Sequence, residues 1–319
     1  MVSFRRLAAK LCFAALVLFI VLFAVFPFLQ MLSMSLKHQW DWGNPSLVPR
    51  QINLEAYKEL LNIDQMAKNV PESVKILLEE SDLTRQQREA ILEKYRDSSD
   101  IFPFVRYFRN SLLLAVSAAL LSVFLAVFGA YSFSRLRYRG QAVVQRGVLF
   151  VYMIGGILLL IPLYRMAAAM GLLATPAGTF GALLIIYLVQ TLPVSLYMLG
   201  NFFRTIPYSI EEAALIEGVS RFGVIWRIIL PLAASAIATV FIYAFMIAWN
   251  EYLFASVFLK SYQGLYTLPI GLRTLFVSKN AIWDRIMAGS MLTALPVIIL
   301  FMAIQKKLTG GLSEGGVKG

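Results

Sequence analysis

Six stretches of this chain contain no Lys, Arg, Asp or Glu: 11–36, 110–134, 147–164, 166–203, 228–250 and 286–305. They are 26, 25, 18, 38, 23 and 20 residues long. A helix rises 1.5 Å per residue, and about 20 apolar residues cross about 30 Å of hydrocarbon, so each run can form one membrane-spanning helix. The 38-residue run is interrupted near its start by "GLLATPAGTFG" (171–181), which leaves a single span near 178–203. The expected fold is an all-α integral membrane protein with six transmembrane helices. Composition agrees, since 15% of the 319 residues are charged, against about a quarter in soluble domains.

Arg5, Arg6 and Lys10 precede the first run, as they would in a secretory signal. A cleavable signal has about 7–15 apolar residues ending in a small-x-small site. This run is longer and ends in "FPFLQMLSMSLK", so it reads as a retained anchor. Six spans with the N-terminus inside put both termini in the cytoplasm. The segments then assigned to that side hold 13 Lys and Arg and four acids (Glu211, Glu212, Glu217 and Glu314). The long outer loop 36–105 holds 9 basic and 12 acidic residues. Retention of basic residues on the cytoplasmic side is the expected asymmetry. The net charge of +11 therefore reflects topology, not a nucleic-acid surface.

Cys12 and His38 are the only residues of their types, so neither an internal disulfide nor a Cys/His metal site can form. A Ser-His-Asp triad is equally out of reach. "GLSEG" (311–315) matches the serine-hydrolase elbow pattern, but it lacks the strand and helix that such a turn requires, and His38 is expected on the opposite face.

In the outer loop, Leu54, Tyr57, Leu60 and Leu61 fall at helical spacing within 53–61. Thr84 and Gln87 form a capping-box start for a second helix, with Ile91 and Tyr95 on one face. This loop is either a charged cap on the membrane surface or a docking surface for an outer partner. "SRLRYRG" (134–140) is a basic hinge that reads as an orientation anchor, and the outer segment 259–284 is too polar and turn-rich to be membrane-buried. Asn110 reads as a cap at the start of the second span.

One polar interval stands out: "SIEEAALIEGVSRFGVIWRIILPL", 209–232. Pro207 ends the fourth span, Ser209 and Glu212 make a capping-box pair, and Glu211 and Glu212 occupy the first turn where the helix dipole favours negative charge. Ala214 and Gly218 leave a bare strip, Glu217 and Arg221 are an acid-before-base pair four apart, and Pro231 interrupts the start of the fifth span. A short helix at 209–220, smooth on one side and charged on the other, is the expectation.

"EEAALIEGVSRFGVIWRIILPL" resembles the EAA loop of permease subunits of bacterial ABC importers. Glu212, Ala213 and Ala214 match its opening, Gly218 its glycine, and Ile228, Leu230 and Pro231 its close. Glu217 stands where the family usually has aspartate and Val219 where it usually has alanine. "RNSLLLAVSAALLSVFLAVFGAYSFSRLRYRG" (109–140), "AWNEY" (248–252), "MAGSMLTALPV" (287–297) and "GLSEGGVKG" (311–319) extend the resemblance to the carbohydrate branch, of the kind found as the smaller permease of maltose importers. The stretch 64–100 departs from it, being longer than the loop expected there.

The resemblance implies a layout of N-terminus and first span (1–36), outer helical loop between spans 1 and 2 (37–107), five-span core (108–307) with the cytoplasmic coupling helix at 209–220, and cytoplasmic tail (308–319). It implies a permease subunit of an ATP-driven importer in a bacterial or archaeal cytoplasmic membrane, moving a sugar delivered by an extracytoplasmic binding protein. Its partners would be a second six-span permease, an ABC ATPase dimer, that binding protein and membrane lipid. No P-loop occurs in the chain, so ATP and Mg would reside on the ATPase and no cofactor on this subunit. Glu212, Ala213, Ala214, Glu217, Gly218, Arg221 and Pro231 would form the ATPase-coupling element. Gly311, Gly315 and Lys318 would reach the ATPase interface, and Lys279 and Asn280 the binding protein.

Trp249, Asn250 and Glu251 are candidates for the translocation path, since an ionisable residue within a span is by default a functional-site candidate. Glu251 could equally pair with an outer-loop base or cap a helix. Two other functions compete. An ion-coupled secondary transporter often has repeated halves with broken helices, yet no internal repeat is visible and Glu251 is the one acid within an expected span. A membrane enzyme would need a nucleophile or base constellation that the sequence does not supply.

Overall fold

A computed structural model describes residues 2–63, 102–154, 156–277 and 283–314, and among these there is helix but no strand. In chain order the helices are α1 (Val2–Ser35), α2 (Glu55–Leu60), α3 (Phe104–Arg135), α4 (Gln141–Met153), α5 (Gly156–Ala169), α6 (Pro176–Thr205), α7 (Tyr208–Ile216), α8 (Arg221–Val224), α9 (Leu230–Leu232), α10 (Ala234–Trp249), α11 (Leu253–Phe258), α12 (Leu268–Val277) and α13 (Trp283–Glu314). A π-turn, Ile225–Ile229, joins α8 to α9. The expected helix at 84–98, the rest of 64–100, and Lys279, Asn280, Gly315 and Lys318 lie outside the described residues.

Four segments are long and apolar enough to cross a membrane: Lys10–Ser35, Phe104–Arg135, Pro176–Thr205 and Trp283–Gln305. The runs 147–164 and 228–250, expected as single spans, are bent instead. α4 meets α5 at 96°, and Arg221–Leu232 meets α10 at 82°. Ile154 leaves α4 in an extended conformation, with ψ 105°. In the second pair Pro231 has no N–H to donate and its ring crowds the preceding turn, which here has widened into the π-turn. The chain then reorients at Ala233. If each bent pair is one span, the count is six.

The chain forms two compact units, Met1–Val105 with Leu272–Ala294 and Arg106–Gly271 with Leu295–Gly319. In the first, the Ser35 and Tyr57 hydroxyls are 2.7 Å apart, and the buried Lys37 ammonium donates to the carbonyls of Asn44 and Ser46, each at 2.7 Å. The Asp41 carboxylate accepts from the Arg50 backbone N–H at 3.1 Å and from Asn44 Nδ2 at 3.0 Å. Helix α2 buries Ala56 and Leu60, whereas Leu54 and Leu61 are exposed, so the apolar stripe read from the sequence is narrower than expected. Arg285 pairs with Glu59 at 2.6 Å.

In the second unit α6 lies against α3 and α10. Gly129 of α3 allows a close approach, because a Cβ there would run into Leu196 of α6. The buried hydroxyls of Ser122 and Ser195 meet at 3.1 Å across the same pair of helices. Small residues and hydroxyl pairs substitute for the hydrophobic drive that lipid removes, each such bond contributing about 0.6–2 kcal/mol. The start of α6 is locally encoded: Gly171 turns the chain at φ +72°, Thr175 Oγ1 accepts from the Gly178 N–H at 3.1 Å, and Pro176 occupies the first turn.

Asn110 is not a cap. Helix α3 begins earlier, at Phe104, which places Asn110 inside it, where its amide donates to the carbonyls of Gly264 (2.9 Å) and Tyr266 (3.1 Å). Ser111 Oγ accepts from the Leu268 N–H at 2.8 Å, so two adjacent polar residues of α3 hold the loop leading into α12. Within the outer segment 259–284, expected to be polar and turn-rich, ten residues form α12.

Candidate functional site

The polar interval 209–232 folds as helix, turn, helix and π-turn. Helix α7 runs from Tyr208 to Ile216, shorter at its C-terminus than the expected 209–220. Its N-cap is Pro207 and no side chain caps it, so the Ser209–Glu212 capping box does not form. The C-terminus is a Schellman motif: the Val219 N–H reaches the Ala214 carbonyl at 3.0 Å, and the Gly218 N–H reaches that of Leu215 at 3.1 Å. Gly218 sits at φ +84° with no atom within 4 Å of a Cβ built on it. The residue is glycine because of its backbone conformation. Ser220 then caps α8, its Oγ accepting from the Gly223 N–H at 3.2 Å.

The turn also corrects two expectations. Ala214 and Gly218 do not form a bare outward strip, because Ala214 is buried in a cluster with Phe203, Ile206, Val224 and Ile225. Among the described residues no ion pair joins Glu217 to Arg221, since the helix has ended before the i+4 relation is reached. Helix α7 exposes Tyr208, Ser209 and Ile210 in its first turn and then Glu212, Ala213 and Ile216, with Glu217 exposed just after its end, and Ile216 is 87% exposed. Arg221 and Pro231 are also exposed.

The buried side of α7 holds a residue that the sequence places only in the first turn of the helix. Glu211 is 1% exposed, and its Oε1 lies 2.6 Å from Arg135 Nε. Its Oε2 accepts from the Tyr131 hydroxyl at 3.3 Å. Arg135 Nη2 donates to the carbonyls of Phe203 (2.6 Å) and Ile206 (2.7 Å), and its guanidinium lies 5.8 Å from the centre of the Tyr208 ring. The last carbonyls of a helix have no partner within it, so the planar guanidinium closes the end of α6 while it binds the first turn of α7. Removing one partner of a buried pair costs about 3–5 kcal/mol. Arg135, read as part of a surface hinge, is thus an internal strut. Nothing local in the sequence signals this, since the partner of Glu211 lies 76 residues earlier in the chain.

A cleft of about 330 Å³ is lined by Tyr152, Gln190, Tyr243, Glu251 and Phe254 among aliphatic residues. Glu251 is held there by three donors: the N–H of Phe254 to Oε1 at 2.7 Å, the N–H of Ala255 to Oε2 at 3.0 Å, and the Tyr187 hydroxyl to Oε2 at 3.0 Å. It caps α11. Its neighbours are placed elsewhere: Trp249 is 2% exposed, stacked on Phe245 and edge-on to Phe108, while Asn250 is exposed and donates to the Met246 carbonyl at 2.9 Å. Gln190 and Tyr243 had not been singled out from the sequence. Gly311 falls inside α13, which continues to Glu314 past the expected start of the tail. Among the described residues no three His, Cys, Asp or Glu side chains gather as a metal set.

Residues 118–313 match the family described as "Binding-protein-dependent transport system inner membrane component". Over its whole length the chain is 39% identical, across 322 aligned positions, to the inner membrane ABC transporter permease protein YcjP of Escherichia coli K12, covering all of that protein. It is 33% identical to the sulfoquinovosyl glycerol transport system permease protein SmoH of Agrobacterium fabrum over 72% of this chain and 78% of that one. To the maltose/maltodextrin permease MalG of Escherichia coli K12 it is 29% identical over 100% of this chain and 99% of the other. A chain in the crystal structure of a bacterial ABC transporter that imports the acidic polysaccharide alginate shares the fold, with a TM-score of 0.69 at 22% identity over 93% of this chain and 95% of that one.

Proposed function

The chain belongs to the family of binding-protein-dependent inner-membrane components, the permeases of ABC transporters, and on that premise we propose that it is half of the translocation path of a carbohydrate importer. It is a multi-pass membrane protein and a transport subunit. In the reading proposed, six spans are made by counting each bent pair as one, both termini face the cytoplasm, and α7 lies on that face. The observation that carries the reading is the two-sidedness of α7. One side is tied by Glu211 and Ala214 into its own subunit, and the other offers Glu212, Ala213, Ile216 and Glu217 to a partner. A nine-residue helix is marginal on its own, so the outward face is one that a second protein can grip.

That partner is an ATPase dimer, which holds the nucleotide and Mg. A second permease subunit completes the path, and an extracytoplasmic protein delivers the sugar. Relatives named for maltodextrin and sulfoquinovosyl glycerol support a carbohydrate cargo. Gln190, Tyr152 and Tyr243 beside the Glu251 carboxylate supply the sparse polar groups and aromatic faces suited to a sugar. Residues Gly311, Gly315 and Lys318 are assigned to the ATPase interface, Lys279 and Asn280 to the binding protein, and 64–100 to the binding protein or the second permease.

Reconstitution tests the whole reading. Sugar uptake into proteoliposomes should need this chain, a second permease, an ATPase dimer, the binding protein and ATP. Ion-driven uptake by the purified single chain would overturn it in favour of a secondary transporter.

A further inference from the structure

Resting on that reading, we propose that Arg135, with Glu211 and Tyr131, is the positioning node that converts displacement of α7 into movement of the spans. The argument is geometric. Arg135 is the last residue of α3, and its side chain is 7% exposed. Three of its contacts go to two other elements: the carboxylate of Glu211 on α7, and the carbonyls of Phe203 and Ile206 at the end of α6. Tyr131, one turn earlier on α3, reaches the second oxygen of the same carboxylate. The carboxylate is thereby held at both oxygens by α3, while α3 is held to α6 through the guanidinium.

The apolar contacts around Ala214 are non-directional and tolerate sliding. A buried ion pair whose guanidinium also donates to two carbonyls does not. A pull on the outward face of α7 must therefore reach α3 and α6 together or break the node. Ser122–Ser195 and the Gly129–Leu196 approach then join these two helices further along their length, so the pair moves as one body.

The test uses the complete complex with three variants: Glu211→Gln, which keeps shape and removes charge, Arg135→Lys, which keeps charge and loses the fork, and Tyr131→Phe, which removes one hydrogen bond. Co-purification of the ATPase and the melting temperature of the complex report docking and stability. Sugar imported per ATP hydrolysed reports coupling. In assembled Glu211→Gln and Arg135→Lys complexes that ratio should fall about tenfold, within the range usual for coupling between sites. Combining the two should add little, because they break one unit. Tyr131→Phe should give a smaller fall, and it decides the matter if the charged variants fail to assemble. An unchanged ratio in the assembled variants overturns the node. Absence of sugar import by the wild-type complex overturns the transport reading instead, so the two failures are distinguishable.

Discussion

The Tyr187 hydroxyl of α6 and the Glu251 carboxylate, just beyond the end of α10, are joined by a 3.0 Å hydrogen bond, while the same carboxylate caps α11 through the N–H groups of Phe254 and Ala255. A group that faces a cleft is thus also fastened on its far side. Truncation should be costly in two ways. Glu251→Ala strands two backbone donors and the tyrosine hydroxyl, at about 1–3 kcal/mol for each group left unsatisfied. It should lower the melting temperature of the purified protein more than Tyr187→Phe, which removes a donor without stranding one. Equal melting of Glu251→Ala and wild type would remove the capping role.

Gly218 makes a separate prediction, because nothing surrounds a Cβ there and only its φ of +84° forbids one. An L-residue in that region costs about 1–2 kcal/mol, and Asn tolerates it better than most. ATPase retention on affinity-purified complex should therefore rank wild type, then Gly218→Asn, then Gly218→Ala. If Ala and Asn are indistinguishable from glycine, the backbone explanation fails and the position is open to any small residue.

At the α3–α6 contact the opposite situation holds, since a methyl at Gly129 collides with Leu196. Overpacking of this kind costs about 1–3 kcal/mol. Gly129→Ala should destabilise the chain to thermal denaturation, and Leu196→Ala in the same molecule should recover part of that loss. Additive losses in the double variant would mean that the two positions do not meet.

Asp41 gives a pH prediction. The Arg50 backbone N–H, helped by the Asn44 amide and the nearby Arg50 and Lys37 charges, holds its carboxyl below the ordinary value despite an opposing effect of burial. A carboxylate whose folded pKa is depressed stabilises the fold above the unfolded value of about 3.9, and that contribution is lost as pH falls through the folded one. Protection of the Arg50 amide, its exchange taken relative to the intrinsic rate at each pH, should accordingly fall once the pH drops below about 4, and in Asp41→Asn it should be lower at neutral pH as well. Protection at Arg50 that does not change with pH in this range would contradict the assignment.

The membrane spans were legible because hydrocarbon thickness imposes a length and a lack of charge that no other environment demands. The bends at Ile154 and Ala233 were not, because neither run contains a charge at the break and hydropathy does not register direction. Helix α7 could be located from its punctuation, Pro207 before it and Gly218 after it. Its orientation could not, because nothing in the residue types of Glu211 and Glu212 says which one faces the protein until a partner is known. That partner, Arg135, is one of four arginines between 135 and 146, and nothing local marks it out from the others. Long-range pairing of this kind has no local signature. For the same reason Asn110 looked like a cap, since the carbonyls it reaches, those of Gly264 and Tyr266, are remote in sequence.

Helix α1 has a further consequence. The most apolar 18 residues of its candidate span, within Lys10–Ser35, include no buried residue. Lipid tails surround Leu and Phe about as favourably as protein does, so such a helix is not recruited to its neighbours by greasiness. It also precedes the other candidate spans in this chain, so synthesis delivers it to the bilayer before them. It can therefore wait in lipid without penalty while the remainder is synthesised. Its final seating is then decided by the contours of the protein surface it meets, not by greasiness.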